Sequence, residues 1–138
     1  MKKIAKISCI LMALSLLLVT SSCEKDNLSR SELLVNHIWR FDKMTTTSSD
    51  ENIQALVTFV SAMMTGATLE FKEDGSYIIT VLNQDDDGIW ELSDDEDTLF
   101  MDGDGMSITK LTKDELILDG EDVDDELGTY HVTMYWKK

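Results

Sequence analysis

Alternation of apolar and polar residues predicts that most of the chain after residue 32 is β-strand. The first alternating stretch, 33–44 (LLVNHIWRFDKM), places Trp39 and Phe41 on one face and polar residues on the other. Shorter alternating runs follow, each ended by the Gly, Asp, Asn or Ser residues typical of turns. These runs predict seven further strands, at 67–72, 76–82, 89–92, 98–101, 106–111, 115–118 and 128–136.

One segment has helical periodicity instead. Apolar residues recur every three or four positions over residues 50–64, which predicts a helix between the first two strands. Ser48 and Glu51 fit a capping box at its start, and Gly66 lies just past its end. Because apolar residues cover about half of its circumference, we expect a deeply seated helix, either a lid on a ligand site or a tightly packed core helix. The residues assigned to this lid helix are Ile53, Leu56, Val57, Phe59, Val60, Met63 and Met64.

The number and spacing of the predicted strands indicate the fold class. Eight strands joined by short connections favour antiparallel neighbours, in a sandwich or an up-and-down barrel. The long last strand can pair with the first, which would remove the exposed sheet edges. We therefore predict a mainly β domain over residues 33–138, an eight-stranded antiparallel up-and-down barrel with one helix between strands 1 and 2.

The N-terminus has the organisation of a targeting signal. Lysines within residues 1–6 are followed by an apolar run over residues 7–19, which is too short to span a bilayer comfortably. Small residues, Thr20-Ser21-Ser22, then directly precede Cys23, and this arrangement resembles the lipobox of bacterial lipoproteins.

This resemblance implies a lipoprotein signal peptide over residues 1–22 and lipidation of Cys23 as the new N-terminus. Residues 23–32 would then be a flexible polar tether, and the membrane would be reached through the lipid on Cys23. The alternative is an ordinary secretory signal cut near Ser22, with Cys23 left as a free thiol.

Composition limits the classes of partner and of scaffold. The chain carries 27 Asp and Glu against 12 Lys and Arg, a net charge of −15, which argues against a nucleic-acid partner. Hydrophobic residues make up 43% of the chain, enough to form a core and to exclude wholesale disorder. Of the two cysteines, Cys9 is lost with the signal peptide and Cys23 carries the lipid, so no disulfide framework is expected.

Several phrases in the barrel region resemble a known group of proteins. A strand with Trp39, then a helix, then hairpins that read LEFKEDGSY, GIWEL and ITKLTKDELIL are similar to the small lipocalin-like lipoproteins of Bacteroidetes. The resemblance covers residues 33–138 and implies a lipocalin-like barrel that can bind a small apolar molecule.

The inner face of the predicted barrel supplies the candidate ligand site. The inward positions are rich in aromatic residues and methionine, which is typical of adaptable apolar pockets and equally typical of a filled barrel core. The interior is therefore either a cavity or a packed core. The candidate lining residues are Trp39, Phe41, Phe71, Tyr77, Ile79, Trp90, Met101, Met106, Tyr130, Val132, Met134 and Trp136.

Acidic residues are concentrated in the second half of the chain, where 18 of the 27 lie between positions 85 and 126. Several acidic turns are expected at one rim of the barrel, where Asp102 and Asp104 are weak candidates for Ca²⁺ ligands. The segment starting at Asp102 does not complete an EF-hand pattern, and solvated turns are the other interpretation. His37 and His131 are predicted on opposite faces of adjacent strands, so no metal site and no cofactor are expected from them.

The chain contains no motif of a nucleophilic, phosphate-binding or metalloprotease active site, so we expect a protein that is not an enzyme. The leading hypothesis is a monomeric, lipid-anchored protein of the cell envelope, an outer-membrane lipoprotein that faces the periplasm or the cell surface and binds a small apolar ligand. The alternative is a surface-exposed interaction module with a filled barrel that binds a protein or glycan partner.

Overall fold

The computed structural model describes residues 28–138 of the chain. These residues form two helices and eight strands. The helices are α1 (Arg30–Val35) and α2 (Glu51–Met63); the strands are β1 (Ile38–Thr45), β2 (Thr68–Phe71), β3 (Ser76–Val81), β4 (Gln84–Leu92), β5 (Thr98–Met101), β6 (Asp104–Leu111), β7 (Glu115–Asp124) and β8 (Gly128–Lys137).

The eight strands close into an antiparallel barrel in which each strand pairs with the next and β8 pairs with β1. The predicted fold is thereby confirmed, a mainly β up-and-down barrel with a helix between its first two strands. Alternate connections lie at the same end of such a barrel. We name each end of the barrel after the helix that lies beside it. The α2 end carries the β3–β4, β5–β6 and β7–β8 turns. The α1 end carries the β2–β3, β4–β5 and β6–β7 turns.

Helix α1 occupies residues that the sequence pattern predicts as the end of the tether and the start of the first strand. Its N-cap Ser29 forms a capping box with Glu32, and β1 begins only at Ile38. The helix lies against the α1 end of the barrel, where the Trp39 indole N–H donates to the Leu34 carbonyl oxygen at 3.0 Å. Arg30 fixes it from outside, with its guanidinium donating to the Glu96 carbonyl oxygen at 2.7 Å.

The predicted capping box of the second helix is wrong. Asp50, not Ser48, is the N-cap of α2, and its carboxylate accepts hydrogen bonds from the N–H groups of Asn52 and Ile53. The Ser48 hydroxyl oxygen instead accepts a hydrogen bond from the N–H of Asp50, the N-cap residue itself. An aspartate is an equally good N-cap, and here its charge also lies at the favourable end of the helix dipole.

Two acidic stretches expected in loops are strands instead. Residues 85–87 belong to β4 and pair with β3, and β7 continues as far as Asp124, paired with β8. The turns that join these hairpins are correspondingly short, and Leu82 and Asn83 both have positive φ, of 51° and 62°. The two-residue β3–β4 turn suits the twist of a hairpin, and the β7–β8 turn has three residues, 125–127. Main-chain pairing with one neighbour is enough to keep the acidic residues extended while their side chains stay solvated.

The core fills the half of the barrel near α1. Trp39, Phe71, Leu34, Leu69, Leu99, Leu116 and Leu118 are the largest fully buried side chains. A second, smaller cluster joins Ile53 and Val57 of α2 to Tyr130 and Val132 of β8. The closed barrel and both clusters are formed within residues 34–137, so the strands of the described segment close on themselves around their own core.

Candidate functional site

The barrel wall opens between β6 and β7 near the α2 end. The β6–β7 ladder runs from Leu111↔Leu116 to Ser107↔Asp119. Beyond that pair β7 continues over Gly120–Asp124 in partnership with β8. The first residues of β6 turn away toward their short hairpin with β5. The divergence of two neighbouring strands therefore leaves an entrance in the side of the barrel.

A cavity of about 790 Å³ lies at this opening. Its walls are the divergent parts of β6 and β7, the facing part of β8, the end of β1 and the end of α2. The lining residues are Met44, Met64, Thr98, Asp104, Gly105, Met106, Ser107, Asp119, Gly120, Glu121, Asp122, Val123, Val132 and Met134. The interior is thus packed at the α1 end and open at the α2 end.

The predicted lining residues divide between these two halves. Met106, Val132 and Met134 line the cavity. Tyr130 belongs to the cluster beneath α2. The remaining predicted lining residues pack in or against the main core: Trp39, Phe41, Phe71, Tyr77, Ile79, Trp90, Met101 and Trp136.

Met44 lines the cavity although strand alternation placed it on the outer face with Asp42. A β-bulge between Phe41 and Lys43 shifts the register, so that Met44 pairs with Met134 across β1 and β8. A bulge adds one residue to a strand, and each later residue then faces the side opposite to the one that alternation predicts. Strict alternation cannot reveal this change, and the sequence carried no signal for it.

Gly120 is a second lining residue that the alternation pattern does not indicate. Met106 lies over it, and a Cβ at Gly120 would lie 3.2 Å from Met106 Cε. Because glycine has no side chain, the Met106 side chain can lie directly over β7 at this position. Glycine in a strand interior often marks such a close approach.

Helix α2 is less deeply seated than its apolar arc predicts. Ile53 and Val57 are buried against β8, and Met64 at its C-cap lines the cavity. Leu56 and Val60 are half-buried. Phe59 and Met63 are exposed, by 61% and 43% of their surfaces. The helix is tied to β1 by Ser61, whose hydroxyl oxygen accepts a hydrogen bond from the Met44 N–H at 3.0 Å.

Asp102, one of the two Ca²⁺ candidates, is engaged by protein donors. Its Oδ2 accepts a hydrogen bond from the Tyr77 hydroxyl at 2.6 Å, and its Oδ1 accepts one from the Ile89 N–H at 2.9 Å. These two hydrogen bonds, that from Tyr77 first, lower the pKa of Asp102. Burial, and then the bond to Asp102, raises the pKa of Tyr77 to about 12.

A second tyrosine–aspartate pair lies beside the cavity. The Tyr130 hydroxyl donates to Asp122 Oδ2 at 3.0 Å. Burial, followed by the hydrogen bond to Asp122, raises the pKa of Tyr130 to about 12. Tyr130 therefore stays protonated at physiological pH and holds the Asp122 carboxylate at the cavity wall.

The two histidines lie in different environments. His37 meets Trp39 edge-on, with ring centroids 5.7 Å apart. His131 Nε2 lies 2.9 Å from Asp119 Oδ2. Within residues 28–138, no three His, Cys, Asp or Glu side chains are grouped as a metal site, and Asp104 contributes to the cavity wall instead.

Cys23 and the predicted signal peptide lie outside the described residues, as does the first half of the predicted tether, residues 23–27. Among the helices of the described part of the chain, neither has the length and hydropathy needed to cross a membrane.

Comparison with solved structures shows a likeness in fold to a known protein. No family model and no curated protein matches the chain. Among solved structures, the chain is similar to a DUF4847 family protein from Bacteroides vulgatus, with a TM-score of 0.50 and 12% sequence identity. The alignment covers 77% of this chain and 96% of that protein. At this identity the likeness shows the fold alone, an eight-stranded barrel shared with a Bacteroides protein.

Proposed function

We propose that this protein is a lipid-anchored protein of the cell envelope that binds a small, largely apolar ligand without transforming it. The observation that carries the proposal is the cavity of about 790 Å³ at the α2 end. Pockets of this size accommodate small organic ligands. Methionine and valine side chains form its apolar surface, and flexible thioethers adapt to ligands of different shape.

Helix α2 is proposed to act as the lid of this cavity. Its buried contacts with the barrel are centred on Ile53 and Val57, and Met64 at its end reaches the cavity. An element held by few buried side chains opens at lower free energy than the core strands. Movement of α2 would widen the cavity without breaking the β1–β8 ladder that closes the barrel.

The N-terminal sequence supplies the proposed location. A lipobox-like segment ending at Cys23 supports an outer-membrane lipoprotein that faces the periplasm or the cell surface. Two or more acyl chains on Cys23 would hold the acidic barrel at the membrane, which its own net charge does not favour.

The binding proposal is tested on a chain of residues 24–138, purified without detergent from an extract of a Bacteroides species. Native and denaturing mass spectra are compared for a small molecule that is lost on denaturation. A Met106→Trp variant, which fills the cavity, is expected to lose it, whereas Thr129→Trp on the exposed surface of β8 is the matched control. Ligand binding would be refuted if the native mass equals that of the polypeptide alone and if fatty acids, sterols, fatty amines and alcohols do not change the melting temperature.

The anchor is tested separately by feeding an alkyne-labelled fatty acid to cells that express the full chain. Label in the wild type and its loss in Cys23→Ser, with release from the membrane fraction, are expected. An unlabelled wild-type protein in the culture medium would show an ordinary secretory signal instead.

A second candidate function is favoured by the outer face of α2. Phe59 and Met63, one turn apart, are exposed. An interaction module that binds a protein or glycan partner would use such a surface. An empty cavity in the mass spectra would move the assignment to this function.

A further inference from the structure

Basic residues are concentrated on one part of the barrel surface. Of the eight Lys and Arg residues in the range 28–138, six are exposed on β1, at the end of β6, in the β6–β7 turn and at the end of β8. We call this surface the basic face, and its basic residues are Arg40, Lys43, Lys110, Lys113, Lys137 and Lys138. The same range contains 25 acidic residues, of which only Asp42, Asp114 and Glu115 lie on the basic face. The other 22 share the rest of the surface with Arg30 and Lys72 alone.

The basic face is continuous across four neighbouring strands. Lys43 on β1 pairs with Tyr135 on β8, and Tyr135 is joined through β7 to Lys110 on β6. Neighbouring strands lie about 4.8 Å apart, so this row of side chains spans about 14 Å. In the next row toward the α1 end, Arg40 on β1 pairs with Lys137 on β8.

The pairing of Arg40 with Lys137 is unfavourable within the protein. Like charges directly opposite each other on neighbouring strands destabilise a sheet. Lys137 has a partner in Asp42, whose Oδ2 lies 3.1 Å from its Nζ. The Arg40 guanidinium, in contrast, has no hydrogen bond or ion pair with another residue of the range 28–138. An anionic partner outside the chain would offset this repulsion.

We propose that the basic face binds the anionic phosphate headgroups of the membrane that carries the Cys23 anchor. This inference rests on the proposed location of the protein at a membrane. From Cys23 to Leu28 the chain can span at most about 18 Å, and Leu28 directly precedes α1 and its N-cap. The basic face lies toward the same end of the barrel, because β1 begins there and β8 ends there. Each Lys or Arg side chain near an anionic bilayer adds to the attraction.

Two side chains beside these bases also suit the surface of a bilayer. The ring of Tyr135 lies under Lys43, with 4.7 Å between Nζ and the ring centroid. Ile38, two residues before Arg40 and therefore on the same side of β1, is 52% exposed. Tyrosine and exposed apolar side chains are favoured at the boundary between headgroups and acyl chains.

The acidic surface determines how the barrel is oriented. Residues 119–134, which form the β7–β8 hairpin at the α2 end, contain six acidic residues and no Lys or Arg. An anionic bilayer repels this hairpin and attracts the basic face. The α1 end therefore lies toward the membrane, and the α2 end with its cavity lies away from it.

The test attaches a chain of residues 23–138 to vesicles through its one thiol, Cys23, with a maleimide lipid, so that it does not depend on natural lipidation. Vesicles of phosphatidylcholine are compared with vesicles that also contain about one third phosphatidylglycerol. A brief pulse of acetic anhydride labels the lysines, and mass spectrometry gives the rate of labelling at each position. A Thr129→Lys substitution on the exposed surface of β8 supplies a reporter at the α2 end.

We expect Lys43, Lys110 and Lys137 to be labelled at least about threefold more slowly on the anionic vesicles than on the neutral ones. Position 129 should be labelled at the same rate on both. Salt at about 0.5 M should remove the slowing, because it screens the attraction of exposed charges to the headgroups.

Variants test whether the basic face causes the slowing. Arg40→Glu places a carboxylate opposite Lys137, so it should not lower the melting temperature. It should nevertheless remove most of the slowing at the lysines of the basic face. The matched control, Lys72→Glu, makes the same change of charge in the β2–β3 turn, outside the basic face, and should retain the slowing.

The outcomes separate this inference from the proposed anchor. Equal labelling on the two kinds of vesicle, or slowing that includes position 129, overturns the lipid-binding face and leaves the anchor in place. Slowing that persists in Arg40→Glu also overturns it. Slowing on neutral vesicles that grows with the amount of protein per vesicle would assign the face to a second copy of the chain instead. Natural lipidation of Cys23 is decided separately, by the alkyne-labelled fatty acid.

Discussion

Tyr77 of β3 donates a hydrogen bond to Asp102 in the β5–β6 turn, with 2.6 Å between its hydroxyl oxygen and Asp102 Oδ2. The Asp102 carboxylate also accepts from the Ile89 N–H and so continues the contact between β4 and β5 past their last paired residues. Gly88, opposite Tyr77 on β4, leaves the space that the carboxylate occupies. One side chain thereby joins three strands.

Gly88→Ala is expected to destabilise the fold by about 2 kcal/mol, as overpacking does. A Cβ at Gly88 would lie 2.4 Å from Asp102 Oδ2 and would displace it. In an Asp102→Ala background the same change should cost little, because nothing is displaced. Urea denaturation of the four proteins of this double-mutant cycle measures the coupling. Equal costs in both backgrounds would refute the contact.

The contribution of the Asp102 carboxylate to stability should be lost in acid. Its pKa is lowered in the folded protein, so its ionised form stabilises the fold above about pH 4, and this contribution is lost as the pH falls below that value. We expect Asp102→Asn to be less stable than the wild type at pH 7 and the difference to shrink toward pH 2. Asp94→Asn at the α1 end is the control. A difference that does not change with pH would contradict the assignment.

The two buried tyrosines, Tyr77 and Tyr130, should ionise only at strongly alkaline pH, with a loss of stability. The pKa of Tyr77 and that of Tyr130 are raised to about 12, so their protonated forms stabilise the fold fully below about pH 10, and this stability is lost as the pH rises toward 12. Tyrosinate absorbance at 295 nm is expected to remain incomplete at pH 11 while the protein is folded. In Tyr77→Phe/Tyr130→Phe the loss of stability between pH 10 and 12 should be smaller. Complete ionisation of the wild type by pH 11 would argue against both hydrogen bonds.

The two faces of α2 should respond differently to truncation. Val57→Ala removes buried methyl groups from the contact with Tyr130 and Val132, and a cost of about 2 kcal/mol is expected. Phe59→Ala removes an exposed ring and should change the free energy of unfolding by less than about 0.5 kcal/mol. Similar losses in the two variants would show that the helix is more deeply seated than described.

Helix α1 is expected to be part of the cooperative fold. Leu34 is fully buried against the barrel core, so Leu34→Ala should cost about 3 kcal/mol. Leu33→Ala on the more exposed side of the same helix is the matched control and should cost less. Thermal unfolding monitored by circular dichroism compares the variants. A Leu34→Ala protein as stable as the wild type would make α1 a loosely attached segment.

The alternation of residues such as Trp39 with Arg40, and the helical spacing over 50–64, were sufficient to predict an up-and-down barrel and its inserted helix. Both patterns are local, because strand and helix periods are set by backbone geometry and by which face is buried. The packed inner face could be predicted for the same reason, since every predicted inward residue joins one of the two core clusters.

Tertiary structure determined where the observed strands depart from the alternation pattern. The bulge after Phe41 turned Met44 inward, pairing with β3 and β8 kept Asp85–Asp87 and Glu121–Asp124 extended, and divergence of β6 from β7 opened the cavity. None of these features is set by a residue's own preferences, because acidic residues disfavour strands and a bulge leaves no local signature. They depend on which strands are hydrogen-bonded to a neighbouring strand along their whole length. The sequence alone determined the barrel and its charge, and the unequal lengths of paired strands determined which half of the barrel is open to a ligand.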